Sequence, residues 1–168
     1  MLLVILRFIH IVLGVLWVGS IFAVSAVLAP GMQELGLPLD PLIRTLTHKK
    51  FSQMMMAFGG LNVLAGMTMM YLLSRGHEAD FYGSHFGRTL SLGGLCAILA
   101  LVLGGSVQRP AVEKAGKIQA DLKNNPPKGD DPRVAEVARL QARAVKVGKL
   151  VVLFLLLAAT CMAVARYI

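Results

Sequence analysis

His10 is the residue best suited by type to do chemistry. It stands in RFIHIVLGVLWVGSIF, residues 7–22, a run that is otherwise almost wholly apolar. Imidazole titrates nearest neutrality and is a common ligand of haem and metals. An ionisable group inside an apolar span is expensive, and such groups turn toward the interior of a bundle. Three readings are open: a hydrogen-bonded core histidine, a haem axial ligand, or part of a metal or proton site. On a helix, Arg7, His10, Gly14 and Trp17 fall on one face. At about 1.5 Å per residue, His10 lies roughly 10 Å in from the N-terminal end of its span. Arg7 is shallower and reaches the headgroups, whereas Trp17 is too deep for an interfacial aromatic belt and is expected to pack against a glycine-lined neighbour.

A bis-histidine haem needs a second ligand at matching depth on another helix. No second histidine falls inside a span, and Asn62 is the strongly polar side chain at mid-depth. His48 is placed at the opposite membrane face and is excluded as a partner for His10. His77 and His85 lie in SRGHEADFYGSHFGR, residues 74–88, on the same side as His10. His85, just before the third span, makes a pair with His10 geometrically allowed.

The two cysteines, Cys96 and Cys161, fall near the depth of His10, yet two cysteines from different helices form no spacing motif. The methionine clusters QMMM at 53–56 and GMTMM at 66–70 suggest copper. Consecutive helical residues point about 100° apart, so Met54, Met55 and Met56 cannot converge on one ion, and plain packing is the expected role. The sequence has no glycine-rich phosphate loop, HExxH, nucleophile elbow or paired CxxC. Its nine acidic residues sit in loops, which leaves a proton relay or ion pathway hard to build.

The elements that must position these groups follow from hydropathy. With 56% hydrophobic residues, 15% charged residues and a mean hydropathy of +0.68, the 168-residue chain has the balance of a membrane protein. Crossing a hydrocarbon layer takes roughly 20 helical residues. Four spans are expected, at about 8–29, 51–73, 89–107 and 148–166, in one all-α domain, a four-helix transmembrane bundle. The first is read as a retained helix and not a secretory signal. Its apolar run is too long, its early positive charge is Arg7 alone, and Pro30 would follow the cleavage point.

Arg7, Arg75, Arg88 and Arg166 flank one side of the spans; Arg44, Lys49, Lys50 and ten more basic residues between Arg109 and Lys149 flank the other. Four against thirteen puts the second side in the cytoplasm and both termini outside. Nucleic-acid binding is excluded, because no base-reading or stacking groups accompany the basic charge. Between the third and fourth spans, residues 108–147 are expected to form a cytoplasmic helical hairpin. Val112, Ala115, Ile118 and Leu122 recur at helical spacing, and Arg133, Glu136, Arg139, Arg143 and Lys146 form a charged face. NNPPKGDDP, residues 124–132, is the loop, with Asp131 as N-cap and Pro132 at the first helical position.

Small residues let helices approach in lipid. Gly14, Gly19, Gly60 and Gly66 are the glycines assigned to packing or partner contact, together with Trp17. RFIHIVLGVLWVGSIF and FGGLNVLAGMTMMYLL, residues 58–73, resemble the first two helices of the copper-resistance-D-like membrane families and their uncharacterised relatives. The shared pattern is an early histidine, a glycine four residues later, a tryptophan-x-glycine and a glycine-rich second helix. More distantly, the chain resembles the haem-binding four-helix protoporphyrinogen oxidases and the membrane half of cytochrome-linked urate oxidases. The resemblance covers about the first 75 residues and implies His10 as the site.

The leading expectation is a non-catalytic accessory subunit, without a cofactor of its own, in a bacterial-type inner membrane. Its partners would be the lipid bilayer and other membrane subunits, as in a respiratory or photosynthetic electron-transfer complex. The alternative is a haem b electron-transfer protein using His10 with His85 or His77. A porphyrinogen-type oxidase and a copper-handling protein follow behind.

Overall fold

The computed structural model describes residues 1–48, 50–127 and 129–168; within the helix at 40–48, the side chains of Asp40, Arg44, Thr47 and His48 are outside the description. Lys49 and Lys128, counted in the charge balance, also lie outside the described residues.

Every regular element described is helical. The first long rod comprises α1 (Leu2–Phe22), a π-helical turn (Ala23–Leu28) and α2 (Ala29–Glu34). α3 is Asp40–His48, and α4, the second span, is Phe51–Ser74. After the short α5 (Glu78–Gly83), α6 (His85–Leu103) runs through a second π-turn (Gly104–Gln108) into α7 (Arg109–Asn124). The last rod is α8, Pro132–Val164, ending in a 3-10 turn, Ala165–Tyr167. Four of these rods are long and apolar enough to cross a membrane, and the fold is the expected all-α four-helix bundle.

Each π-turn precedes a proline. Pro30 and Pro110 cannot donate an N–H, and each ring crowds the carbonyl four residues back. The rod widens instead of breaking: the N–H of Ala29 donates to Val24 and that of Arg109 to Gly104, each five residues back. The first rod stops at Gly36, whose φ of +65° allows the N–H of Leu37 to reach the Met32 carbonyl at 2.8 Å.

Around the bundle, α1 packs on α4, α4 on α6, α6 on α8, and α8 back on α1. The core sits where the four meet: Trp17, Ile21, Met55, Ala97, Ala100, Val151 and Leu155 are buried together. Outward residues of α1 such as Phe8, Val15 and Leu16 are exposed, as lipid-facing positions are.

The hairpin beyond the spans has its own small core of Ala111, Ala115, Leu140 and Ala144. Lys114 pairs with Glu136 across it at 2.8 Å, and Arg133 holds Asp121 and Asp131, each at 2.6 Å. α3 adds a helix that the sequence reading passed over. Ile43 within it and Leu39 just before it are buried, and the helix packs against α7.

Asp131 caps α8, its carboxylate accepting the Arg133 N–H at 2.9 Å. The Arg133 side chain, and then that backbone N–H, hold its carboxyl below the usual aspartate range. A depressed folded pKa stabilises above the ordinary value, and that stabilisation is lost as pH falls through the folded one. Protection of the first turn of α8 against hydrogen exchange, taken relative to the intrinsic rate at each pH, is therefore expected to be full at neutral pH and to be lost as pH drops below the ordinary aspartate range. Asp131→Ala should show the weaker protection already at neutral pH.

Candidate functional site

The stripe His10, Gly14, Trp17 on α1 faces Gly59, Asn62 and Gly66 on α4, running antiparallel. Each bulky member on one helix meets a glycine on the other. A Cβ at Gly66 would lie 2.9 Å from Cε1 of His10, and one at Gly59 would lie 2.6 Å from the Trp17 ring. A Cβ at Gly14 would sit 3.5 Å from Oδ1 of Asn62. The glycines are what allow the imidazole and indole to lie between two helices without forcing them apart.

His10 is half-buried, and its Nδ1 lies 2.8 Å from the backbone carbonyl of Asn62. A carbonyl can only accept, so Nδ1 carries a proton and donates it to Asn62. Nε2 has no hydrogen-bond partner among the described residues, and neither has the buried Oδ1 of Asn62. The sequence singles out both residues; the backbone bond between them depends on how α1 and α4 cross, which no spacing within either helix reveals.

The other expected site residues are more dispersed. His77 precedes α5, where its carbonyl accepts the Phe81 N–H, and His85 begins α6; both side chains are exposed. They stand at the end of the bundle where α1 begins and α4 finishes. The side chain of His48 lies outside the described residues. No group of three or more His, Cys, Asp or Glu side chains gathers among the described residues. Cys96 is buried and Cys161 half-buried, the latter against Gly93, where a Cβ would lie 3.0 Å away. Met55 is in the core while Met54 and Met67 are exposed.

Gly19 and Gly60 differ from the other glycines expected to pack. A Cβ at either would meet nothing within 4 Å. Gly60 is about 100° around α4 from Gly59, and Gly19 about 200° around α1 from Trp17, so neither takes part in the chain's own seam.

A second polar junction lies where the two π-turns meet. Ser25, 4% exposed, accepts a long 3.4 Å hydrogen bond from Nε2 of Gln108. Gly148 of α8 lies against both, and a Cβ there would fall 2.8 Å from Gln108 and 3.0 Å from Ser25. The sequence reading missed this junction. Its signal was present: a polar residue a few positions ahead of a proline in each of two apolar rods. Around it open two narrow clefts, one toward Trp17 and one toward α3 and the hairpin. Neither is lined by His10.

In comparisons with known proteins, no family profile, curated protein or solved structure matches this chain.

Proposed function

We propose that this chain is a non-catalytic integral membrane subunit that holds its place in a larger membrane assembly through outward-facing glycines of its spans. The observation that carries this reading is the set Gly19, Gly60 and Gly94, each in a long apolar rod and each with nothing within 4 Å of a Cβ position. Burial within the chain does not explain these notches, and in lipid a small-residue face is where another helix comes closest. The basic hairpin adds a charged arm at the same end as the π-turns. By the positive-inside rule this arm is cytoplasmic and both termini are external; a bacterial-type inner membrane is the setting we propose with that orientation. An electron-transfer complex is the assembly suggested by the resemblance to redox families.

Mild detergent extraction followed by size analysis is expected to recover the chain inside a particle larger than the free protein. Gly60→Leu should release it as a folded monomer. Recovery of the unsubstituted chain as a monomer overturns the reading.

One observation favours a second function. A histidine that ligates a metal almost always donates its other ring N–H to a carbonyl or carboxylate, as His10 does to Asn62. His10 would supply one ligand to a haem b and His85 or His77 the other, and the group would supply one-electron transfer. Against this reading, Gly66 lies flush against the imidazole, and the two clefts are elsewhere. A reduced-minus-oxidised visible spectrum decides it. A Soret shift and sharp alpha band, both lost in His10→Ala, establish the haem reading; a featureless spectrum removes it.

A further inference from the structure

A narrow cleft opens between the spans beside the junction of Ser25 and Gln108. Its lining changes character along the bundle axis. Trp17, Ala100 and Val151 form the apolar inner end, whereas Ser52, Gln108 and Arg109 stand at the other. From Ala100 to Arg109 is nine residues, roughly 13 Å along a helix. The cleft is thus elongated parallel to the spans, dry at one end and cationic at the other.

Arg109 makes one ion pair, from Nε to Glu113 at 2.7 Å. Its two terminal nitrogens have no partner among the described residues, and its side chain is 35% exposed. The forked guanidinium can therefore hold a phosphate with its remaining donors. Exposed Lys50, Lys146 and Lys149 flank the same end of the bundle. Both π-turns border the cleft, to which Val24, Ser25, Gly104 and Gln108 contribute lining. The length, polarity gradient and charge match one class of ligand, and that class lies all around the protein.

We propose that this cleft is a binding site for an anionic phospholipid, with one acyl chain lying between the spans toward Trp17 and the phosphate held by Arg109. Basic pockets between membrane helices are the recurrent way that proteins select acidic headgroups. The site is independent of the glycine-mediated docking and of His10, so it stands or falls separately from either reading of function.

Trp17 is the chain's one tryptophan, is 3% exposed, and lines the inner end of the cleft. Lipid on the outer surface of the bundle cannot touch it, which makes its fluorescence a specific reporter. The probe is phosphatidylglycerol carrying bromine at the middle of its acyl chains, titrated into the purified chain in micelles. Quenching of Trp17 is expected to saturate, and the same brominated chains on phosphatidylcholine should quench about tenfold more weakly or not at all. Arg109→Gln should weaken the phosphatidylglycerol response by about tenfold, the loss of a charge-assisted contact. Lys117→Gln, which removes an exposed hairpin charge away from the cleft, should leave it unchanged. Equal quenching by the two headgroups overturns the role of Arg109. No quenching by either overturns the acyl seat. Relief of quenching by an uncharged short-chain quinone, equally in the unsubstituted chain and Arg109→Gln, assigns the cleft to a quinone instead.

Discussion

Gly59→Leu is expected to disrupt the bundle, whereas Gly60→Ala, one residue away, should leave its stability within about 0.5 kcal/mol of the original. At Gly59 the first added carbon alone would stand 2.6 Å and 2.7 Å from two atoms of the Trp17 ring and 2.9 Å from Leu101. The indole is 3% exposed and sits in the core with Ile21 and Met55, so it can retreat only by displacing them or by swinging into the cleft that it lines. Either α1 and α4 separate or the indole leaves its rotamer. Overpacking of this kind costs about 1–3 kcal/mol for small insertions, and a whole leucine places it at or above the upper end. Because His10 and Asn62 lie on the same seam, separation also stretches the 2.8 Å bond that joins them. Unfolding in a titration from mild detergent into dodecyl sulfate, followed by circular dichroism, measures the difference. A double-mutant cycle with Gly59→Ala and Trp17→Phe should give a favourable coupling of about 0.5–3 kcal/mol, since the smaller ring leaves room for the added methyl.

The four spans were legible because crossing lipid imposes a length and a hydropathy that no soluble helix needs, and the structure has four rods that meet both. Their ends were less legible. The first rod runs from Leu2 to Glu34 and the third from His85 to Asn124, well past the apolar cores at 8–29 and 89–107. The reason is that hydropathy marks only the part of a rod inside lipid, while at Pro30 and Pro110, residues that ordinarily end or bend a helix, the backbone continues by shifting to hydrogen bonds five residues back. The cap at Asp131 was legible because it is a local contact between neighbours in sequence. The α3 helix was legible in principle, since Leu39, Ile43 and Leu46 recur at helical spacing after a connection, yet its charge hid its amphipathic pattern.

At the site, the face shared by His10, Gly14 and Trp17 followed from helix periodicity alone. Which glycines on the second helix receive it did not. Gly59 and Gly60 are equivalent in composition and differ only in the rotation of α4 about its axis, and the structure gives the contact to Gly59. That rotation is fixed by long-range packing against α6 and α1 together. The same ambiguity explains why Gly19 and Gly60, expected to pack, lie outside the seam.

Gly148→Leu is expected to be comparably severe, through a different balance of effects. Gly148 is the point on α8 against which both π-turns rest, and a Cβ there would stand 2.8 Å from Nε2 of Gln108, 3.0 Å from Oγ of Ser25 and 3.1 Å from its Cβ. The hydrogen bond between Gln108 and Ser25 is already 3.4 Å long, so little displacement is needed to lose it. Ser25 is 4% exposed, and a hydroxyl left without a partner at that depth costs about 1–3 kcal/mol in addition to the steric term. Unlike the Gly59 change, this one acts at the end of the bundle where the rods pass into the hairpin. The expected signature is therefore local as well as global: hydrogen exchange should rise in residues 23–28 and 104–108 before the remaining spans unfold. Paired with Ser25→Ala, which removes the buried hydroxyl, the penalty of Gly148→Ala should shrink, because the added methyl then meets a smaller apolar neighbour. If Gly148→Leu instead unfolds with the same exchange pattern as Gly59→Leu, the two ends of the bundle form a single cooperative unit, and the π-turns are not a separate joint.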